Sequence, residues 1–487
     1  MIPNMKTLLT LTALASALAG CSLAPKYERP DAPVSASYPT GPAYAATQAG
    51  AGELAAADVG WRDFFQDSLL QWILTLTLEN NRDLRVAALN VEAARAQYRI
   101  ERADLLPTVG AAGTANVQRT PASLTQNGSL QISRQYRVGA AVSSWELDLF
   151  GRIQSLTEQA LQTYLAQDET RQATQLTLIA ETANAYLTLC ADQELLQLTE
   201  QTLASQRASY DLTKQSFDQG VATELDLSQA EVSLRTAERN RAQYLRQVAR
   251  DRNALTLLVG QPLPADLITQ LDAIKQLPDD VVIANLPAGL PADLLARRPD
   301  IRAAEHQLQG VNANIGAARA AFFPTISLTG SAGVASGSLG SLFDAGSGAW
   351  SFAPQITMPI FAGGALLANL DLAQVRKRIG IANYEKAIQI GFREVADGLA
   401  GRATLDQQIL AQRQLVEANQ RAYTLSDQRF RQGVDSYLSV LDSQRSLYSS
   451  QQALVDTRLA RLANLIDLYK ALGGGWTERS VGQAGRQ

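Results

Sequence analysis

One histidine, His306, stands among 487 residues, beside only two cysteines and three methionines. That scarcity removes the clustered imidazole sites on which many metal and acid–base enzymes depend, leaving carboxylate chemistry formally possible. GxSxG, P-loop and HExxH patterns are absent, and the glycine-rich patches lack the strand–turn–helix setting of a phosphate cradle, so catalysis has no evident home and no enzyme is expected. A basic excess is missing too. With 43 Lys and Arg against 47 Asp and Glu, the net charge of −4 offers no field for a polyanion, and no nucleic-acid partner is expected. Nor is the chain poor in apolar residues: 46% hydrophobic content excludes wholesale disorder, and the length allows two or three domains or one elongated one.

What is present begins with an export signal. Lys6 precedes "LLTLTALASALAG", an apolar run too short to cross a bilayer as a helix. The following Leu18-Ala19-Gly20-Cys21 resembles the lipobox of bacterial lipoproteins. That resemblance implies cleavage before Cys21, a diacylglycerol on its sulfur and an acyl group on its amine, with residues 1–20 removed. Several acyl chains would hold the N-terminus in a bilayer. Ser22, rather than Asp, is compatible with outer-membrane sorting. The alternative is an ordinary signal peptide with a chance cysteine. Cys190 lies in the helical run "AYLTLCADQELLQL" and reads as a small packed hydrophobe without a disulfide partner.

Residues 21–60 are rich in Pro, Ala, Gly and Tyr and read as an extended tether on the folded body. A helical pattern starts at Trp61, and a helix of roughly 83–106 stops at Pro107. The same phrase recurs 217 residues later: Asp83/Asp300, Arg85/Arg302, Ala96/Ala313, Arg102/Arg319, Pro107/Pro324 and Thr108/Thr325 keep one offset. A second match, at an offset of 213, pairs "YDLTKQSFDQGVATELDL" from Tyr210 with "YTLSDQRFRQGVDSYLSV" from Tyr423. The chain is therefore an internal repeat. The first copy, 61–259, carries a hairpin at about 107–150 and long helices at 152–219 and 222–258. A proline-rich linker fills 260–299. The second copy, 300–473, has a helix at 300–322, a hairpin at about 324–362 and helices at 366–432 and 435–472, before a tail at 474–487.

The hairpins alternate with period two. Val109, Ala111, Gly113, Ala115 and Val117 oppose Thr108, Thr114, Asn116 and Gln118; Ile326, Leu328, Ala332 and Val334 oppose Thr325, Ser327, Thr329 and Ser331; Trp350, Phe352, Pro354, Ile356, Met358 and Ile360 oppose Ser351, Gln355 and Thr357. Tyr136, Trp145, Phe150, Trp350 and Phe361 are placed near strand ends. Such runs of about ten residues, greasy on one side and wettable on the other, match outer-membrane barrel strands better than a soluble sandwich. Four strands cannot close a barrel, and an open edge in hydrocarbon strands backbone polar groups at several kcal/mol each, so copies must associate. Two copies fill their own interior; three leave an aqueous lumen. The stretch 152–219, unbroken by proline or glycine, would be about 100 Å long as one helix, which no compact core needs. Its Gln, Thr, Ala and Ser content suits sideways packing beside water, with a solid coiled coil as the bland alternative.

Together "LAPKYERPDAP", "LPADLLARRPDIRAAE", "FFPTISL", "RFRQGVDSYLSVLDSQRSLYSSQQ" and "LYKALGGGW" resemble the outer-membrane factor family of TolC-like export ducts, in particular its NodT/OprM-like lipoprotein branch serving RND-type efflux pumps. The resemblance covers nearly the whole mature chain. It implies an α+β membrane protein: a homotrimer with a twelve-stranded outer-membrane barrel, four strands per chain, continued by a long helical barrel in the periplasm with an equatorial domain. It also implies a periplasmic adaptor, an inner-membrane RND pump and outer-membrane lipid as partners, no cofactor beyond the lipid on Cys21, and passive conduction of drugs or other small toxic solutes. A duct for type I protein secretion and a nonporous adhesin or scaffold are the alternatives.

Differences between the halves point to what is more than wall. Leu438 matches Leu225, but Asp442 falls opposite Gln229 and Arg445 opposite Val232. Alone, Asp442 and Arg445 read as a surface ion pair three apart on a helix, worth a few tenths of a kcal/mol. The family resemblance implies instead that Leu438, Asp442 and Arg445 form the constriction closing the resting tunnel. Gly220-Val221 and Gly433-Val434 fit left-handed caps at hairpin turns, and the resemblance makes those tips the adaptor contacts.

Overall fold

The computed structural model describes residues 22–44, 56–283 and 291–480; the signal peptide and Cys21 lie outside them. In chain order the elements are α1 (Trp61–Phe64), α2 (Ser68–Asn80), α3 (Arg82–Ala103), β1 (Val109–Thr120), β2 (Gln131–Leu147), α4 (Arg152–Asp218), α5 (Glu224–Val259), α6 (Ala265–Ala273), α7 (Pro291–Arg297), α8 (Pro299–Ala320), β3 (Thr325–Ser336), β4 (Gly348–Thr357), α9 (Ala365–Arg431) and α10 (Tyr437–Ala471). Both long helices, α4 and α9, have 67 residues, and their first residues, 152 and 365, differ by 213. No described helix is long and apolar enough to cross a membrane. The chain divides into two compact units, each drawing segments from both repeats.

The first unit joins residues up to Asp31 with Asn90–Asp168 and Ala303–Tyr384. It holds one antiparallel sheet in the order β1-β2-β3-β4, leaving β1 and β4 as edges within the chain. The register aligns the two faces. Val109, Val142, Gly330 and Phe352 form one row, and Ala111, Ala140, Ala332 and Trp350 the next on that face. The intervening rows, Gly110-Ala141-Ser331-Ser351 and Ala112-Gly139-Gly333-Ala349, lie on the other. Trp350 is 81% exposed and Phe352 63%, which for large apolar rings signals a nonaqueous surround. A bulge between Val142 and Trp145 shifts the β2–β3 register, with Ser144 at φ +46°.

Two strand assignments need correction. β4 ends at Thr357, so Met358 and Ile360 continue the alternation in sequence without belonging to the strand, and Phe361 lies four residues past its end. Likewise β2 ends at Leu147, and Phe150 instead stacks on Phe323 with ring centroids 4.7 Å apart. Asp148 then caps α4, its two oxygens accepting from the Arg152 and Gln154 N–H groups at 2.7 and 2.8 Å.

Residues 23–29 are held on α8. Arg319 donates to the Leu23 carbonyl at 3.1 Å, Asn312 to the Pro25 carbonyl at 2.8 Å, and the Arg29 guanidinium grips Glu305 through two bonds of 2.8 and 2.9 Å. The Tyr27 hydroxyl donates to the same carboxylate at 3.1 Å; burial, then Glu305, push its pKa upward. Gly316 is small because a Cβ there would sit 2.8 Å from the Ala24 nitrogen. Residues 305, 312, 316 and 319 thus form one helix stripe that holds the tether, Glu305 through side chains and the others along its backbone. His306 bonds Gln162 at 2.7 Å.

The second unit joins Ala32–Leu89, Glu169–Arg302 and Glu385–Gln487. Its apolar centre explains the terminal "LYKALGGGW": Phe64 stacks on Tyr469 at 3.9 Å between centroids, and Gly474 leaves room for the Tyr469 ring. Arg298 of the "ARRPD" phrase is buried and donates to Asp300, to Glu394 at 2.8 Å and to the Ala471 carbonyl at 3.0 Å. A buried guanidinium so surrounded has its desolvation offset by charge-assisted bonds. Arg458 ties Glu194 and Asp279 together, while Leu277 donates its N–H to Glu194 at 2.7 Å. The pattern "AYLTLCADQ" buries Cys190, and burial pushes its thiol up to about 12, which keeps it unreactive.

Asp192 on α4 faces Asp251 on α5 and Asp456 on α10. Burial, then the hydrogen bond and repulsion from Asp251, with a smaller repulsion from Asp456, push Asp192 up to about 7; Gln247 opposes this. An unfolded aspartate titrates near 3.9. The folded state therefore binds the proton more tightly, so this group's stabilisation is full below about pH 4 and is lost as pH rises towards about 7. Asp192→Asn should raise the melting temperature at pH 8 by about 2 °C for each kcal/mol relieved, and have little effect at pH 4. Thermal melts of both proteins across that range check it; equal shifts at both pH values would remove the assignment.

Candidate functional site: the helical tips

Both hairpin turns of the second unit end their long helix identically. Gly220 and Gly433 have φ +74° and +76°. The Gly220 N–H donates to the Phe217 carbonyl at 2.8 Å and Val221 to Ser216 at 2.9 Å; Gly433 donates to Phe430 at 2.8 Å and Val434 to Arg429 at 2.9 Å. This is the Schellman pattern, which satisfies the last carbonyls and needs a left-handed residue at the turn. Val221 and Val434 are exposed at the two turns.

The starts of the return helices differ. Thr223 and Asp226 form a reciprocal capping box on α5, and the Thr223 bonds hold the Asp226 carboxyl below the usual range. Ser436 makes no side-chain cap on α10. There the turn is fastened by Arg429, whose guanidinium donates to both Asp435 oxygens at 2.6 and 3.0 Å and lowers the Asp435 pKa. Sequence periodicity did not reveal this clamp; an arginine and an aspartate flanking a Gly-Val turn were the available signal.

Beyond the turn, α10 separates two faces. Tyr437, Val440 and Leu441 are buried with Ala230, and Tyr210, Tyr423 and Phe430 pack against them. Gln444 continues the buried face, accepting from Gln206 at 2.8 Å. Leu438, Asp442 and Arg445 lie on the opposite stripe and are all exposed. The chain brings these three together on one helix face but gives Asp442 and Arg445 no ion pair or hydrogen bond among the described residues, so the simple intrahelical pair does not form. Spacing allows such a pair; two exposed side chains gain too little from it to be held.

A four-stranded sheet wettable on one face and greasy on the other, encoded by a repeat whose long helices end in exposed turns, defines a channel-forming outer-membrane class of protein. The sequence pattern described as "Outer membrane efflux protein" matches residues 73–261 and 290–474, and the chain belongs to that family. It is 53% identical over 482 residues, 99% of this chain and 98% of the relative, to the antibiotic efflux pump outer membrane protein ArpC of Pseudomonas putida. The toluene efflux pump outer membrane protein TtgC of the same species gives the same identity and the same coverage. Among solved structures, the open state of the Neisseria gonorrhoeae MtrE outer membrane channel is similar at 40% identity with a TM-score of 0.82, covering 94% of this chain and all of that one. The chain is thus an outer-membrane efflux channel of the Gram-negative type.

Proposed function

We propose that three copies assemble into a passive duct that receives solutes from an inner-membrane RND pump through a periplasmic adaptor and releases them outside. The observation that carries this is the open sheet. Its two edges, β1 and β4, cannot remain bare in lipid, and three sheets give the twelve strands that leave an aqueous lumen. Leu438, Asp442 and Arg445, repeated threefold, form the resting constriction. Three Asp442 side chains repel unless arginines or cations balance them, so a closure built on them is released by a partner that competes for those contacts. Gly220-Val221 and Gly433-Val434 are the adaptor's landing points, supported by the exposure of both valines. Cys21 carries the acyl chains, and the fastening of residues 23–29 to α8 supports a tether held at a fixed place.

Two relatives named for antibiotics and for toluene are equally similar to this chain. That supports small toxic solutes as cargo and leaves the choice among them to the pump. In planar bilayers the purified protein is expected to conduct, and deletion in its host should sensitise cells to drugs or solvents without loss of a secreted protein. A bilayer silent with the native protein and with Asp442→Ala alike would overturn the duct; loss of a secreted protein alone would favour type I secretion.

A further inference from the structure

The wet face of the sheet carries one charge that nothing answers. Arg137 lies six residues into β2, counted from Gln131, and level with the outer end of β3, whose last residue is Ser336. It pairs across β1 with Thr114 and across β3 with Ala335. Two residues further along the same face run Ala112, Gly139, Gly333 and Ala349, a row with no side chain long enough to cover a guanidinium. Arg137 is exposed and makes no ion pair or hydrogen bond among the described residues.

No neighbouring copy can supply a partner from its strands either. The wet-face positions of the edge strands are Gly110, Ala112, Thr114, Asn116, Gln118 and Thr120 on β1 and Ala349, Ser351, Ala353, Gln355 and Thr357 on β4, none of them acidic. The strands contain one acid on that face, Glu146, and Arg152 already holds it through Nε at 2.9 Å. Asp148 is engaged as the α4 cap. The outer-end arginines, Arg119 and Arg134, align with Ile132 and Val117 on the greasy face, where long cationic chains reach for headgroups.

We propose that Arg137, repeated in each copy, forms a cationic ring in the barrel lumen that makes this part of the pore select anions over cations. The inference rests on the trimeric duct proposed above. Uncompensated charges on the wall of a water-filled pore raise the local concentration of counter-ions. In a lumen wide enough for drugs the effect is a matter of screening. At 0.1 M salt the Debye length is about 10 Å and at 0.01 M about 30 Å, so the ring's reach grows as salt is diluted. Anionic solutes, such as carboxylate-bearing drugs, are the class whose passage it assists.

The test is the reversal potential of bilayer channels under a potassium chloride gradient, at high and at low salt. Relative to the native protein, Arg137→Gln should lower the chloride-to-potassium permeability ratio by about twofold or more in the dilute regime, Arg137→Glu should lower it further, and Arg137→Lys should leave it unchanged. Comparing variants with the native channel cancels every other fixed charge. Arg137→Cys, treated in an open channel with methanethiosulfonates of either sign, covers the case in which a charge change disturbs assembly. A positively charged reagent should restore selectivity and a negatively charged one deepen the loss. Channels that conduct but keep the native ratio in all variants, or that ignore both reagents, overturn the ring and leave the duct standing. Absence of conductance in the native protein and in Asp442→Ala alike overturns the duct.

Discussion

Channels carrying Asp442→Ala and Arg445→Ala together should fold and assemble as the native protein does, and be open at rest far more often. Both side chains are exposed and neither has a partner among the described residues, so their truncation should change protomer stability by no more than about 0.5 kcal/mol. The buried side of the same helix, Tyr437, Val440, Leu441 and Gln444, is untouched. In the constriction proposed above the pair meets its equivalents three times. Three exposed contacts of about 0.5–1 kcal/mol each amount to about 1.5–3 kcal/mol on the closed state, or a rise of roughly 10- to 150-fold in the open-to-closed ratio. Single-channel recordings read that directly. The first repeat supplies the control, since Gln229 and Val232 occupy the matching helix positions, and alanine there should leave resting conductance unchanged. An intact trimer whose resting conductance stays native after the double substitution would remove these residues from the gate.

The features legible in the sequence are those that recur at short range. Proline at 107 and 324 marked where helices give way to strands, and the repeat offset anticipated that α4 and α9 would be equal in length. Period two placed the greasy and wet faces because a side chain's face follows its parity along a strand, except past the β2 bulge, where Trp145 takes the same face as Val142. The alternation misled at Met358 and Ile360, where the pattern continued past the last strand residue, Thr357. Contacts between remote segments were invisible in principle. The grip of Glu305 on Arg29 joins residues 276 apart in sequence, and Gln193 reaches the Leu271 carbonyl across 78. Nothing in local spacing encodes such pairs. The unanswered charge of Arg137 lies between these cases. Its face follows from the alternation, whereas the absence of an acid beside it requires the register of all four strands.

That register also makes one glycine pair indispensable. Gly139 and Gly333 sit directly opposite each other on the inner strands β2 and β3. A Cβ on Gly333 would overlap the Val138 carbonyl oxygen and lie 2.5 Å from the Gly139 Cα; one on Gly139 would lie 2.8 Å from the Gly333 Cα. These are backbone atoms, so no rotamer change can relieve the overlap, and the strands themselves must part. In water such overpacking costs about 1–3 kcal/mol. Inside a membrane, parting the strands also breaks ladder bonds whose groups find no water, at several kcal/mol for each group, once per protomer. Gly333→Ala should therefore abolish the assembled, conducting channel, with a loss of at least tenfold in trimer recovered from outer membranes. The same substitution at Gly330, also on β3, meets only the Ser351 carbonyl oxygen at an ordinary 3.6 Å and should be tolerated. Trimer yield by native electrophoresis, beside helix content by circular dichroism, distinguishes failed sheet closure from a chain that never folds. Equal trimer yields from the two variants would mean that β2 and β3 do not approach each other at this pair in the membrane.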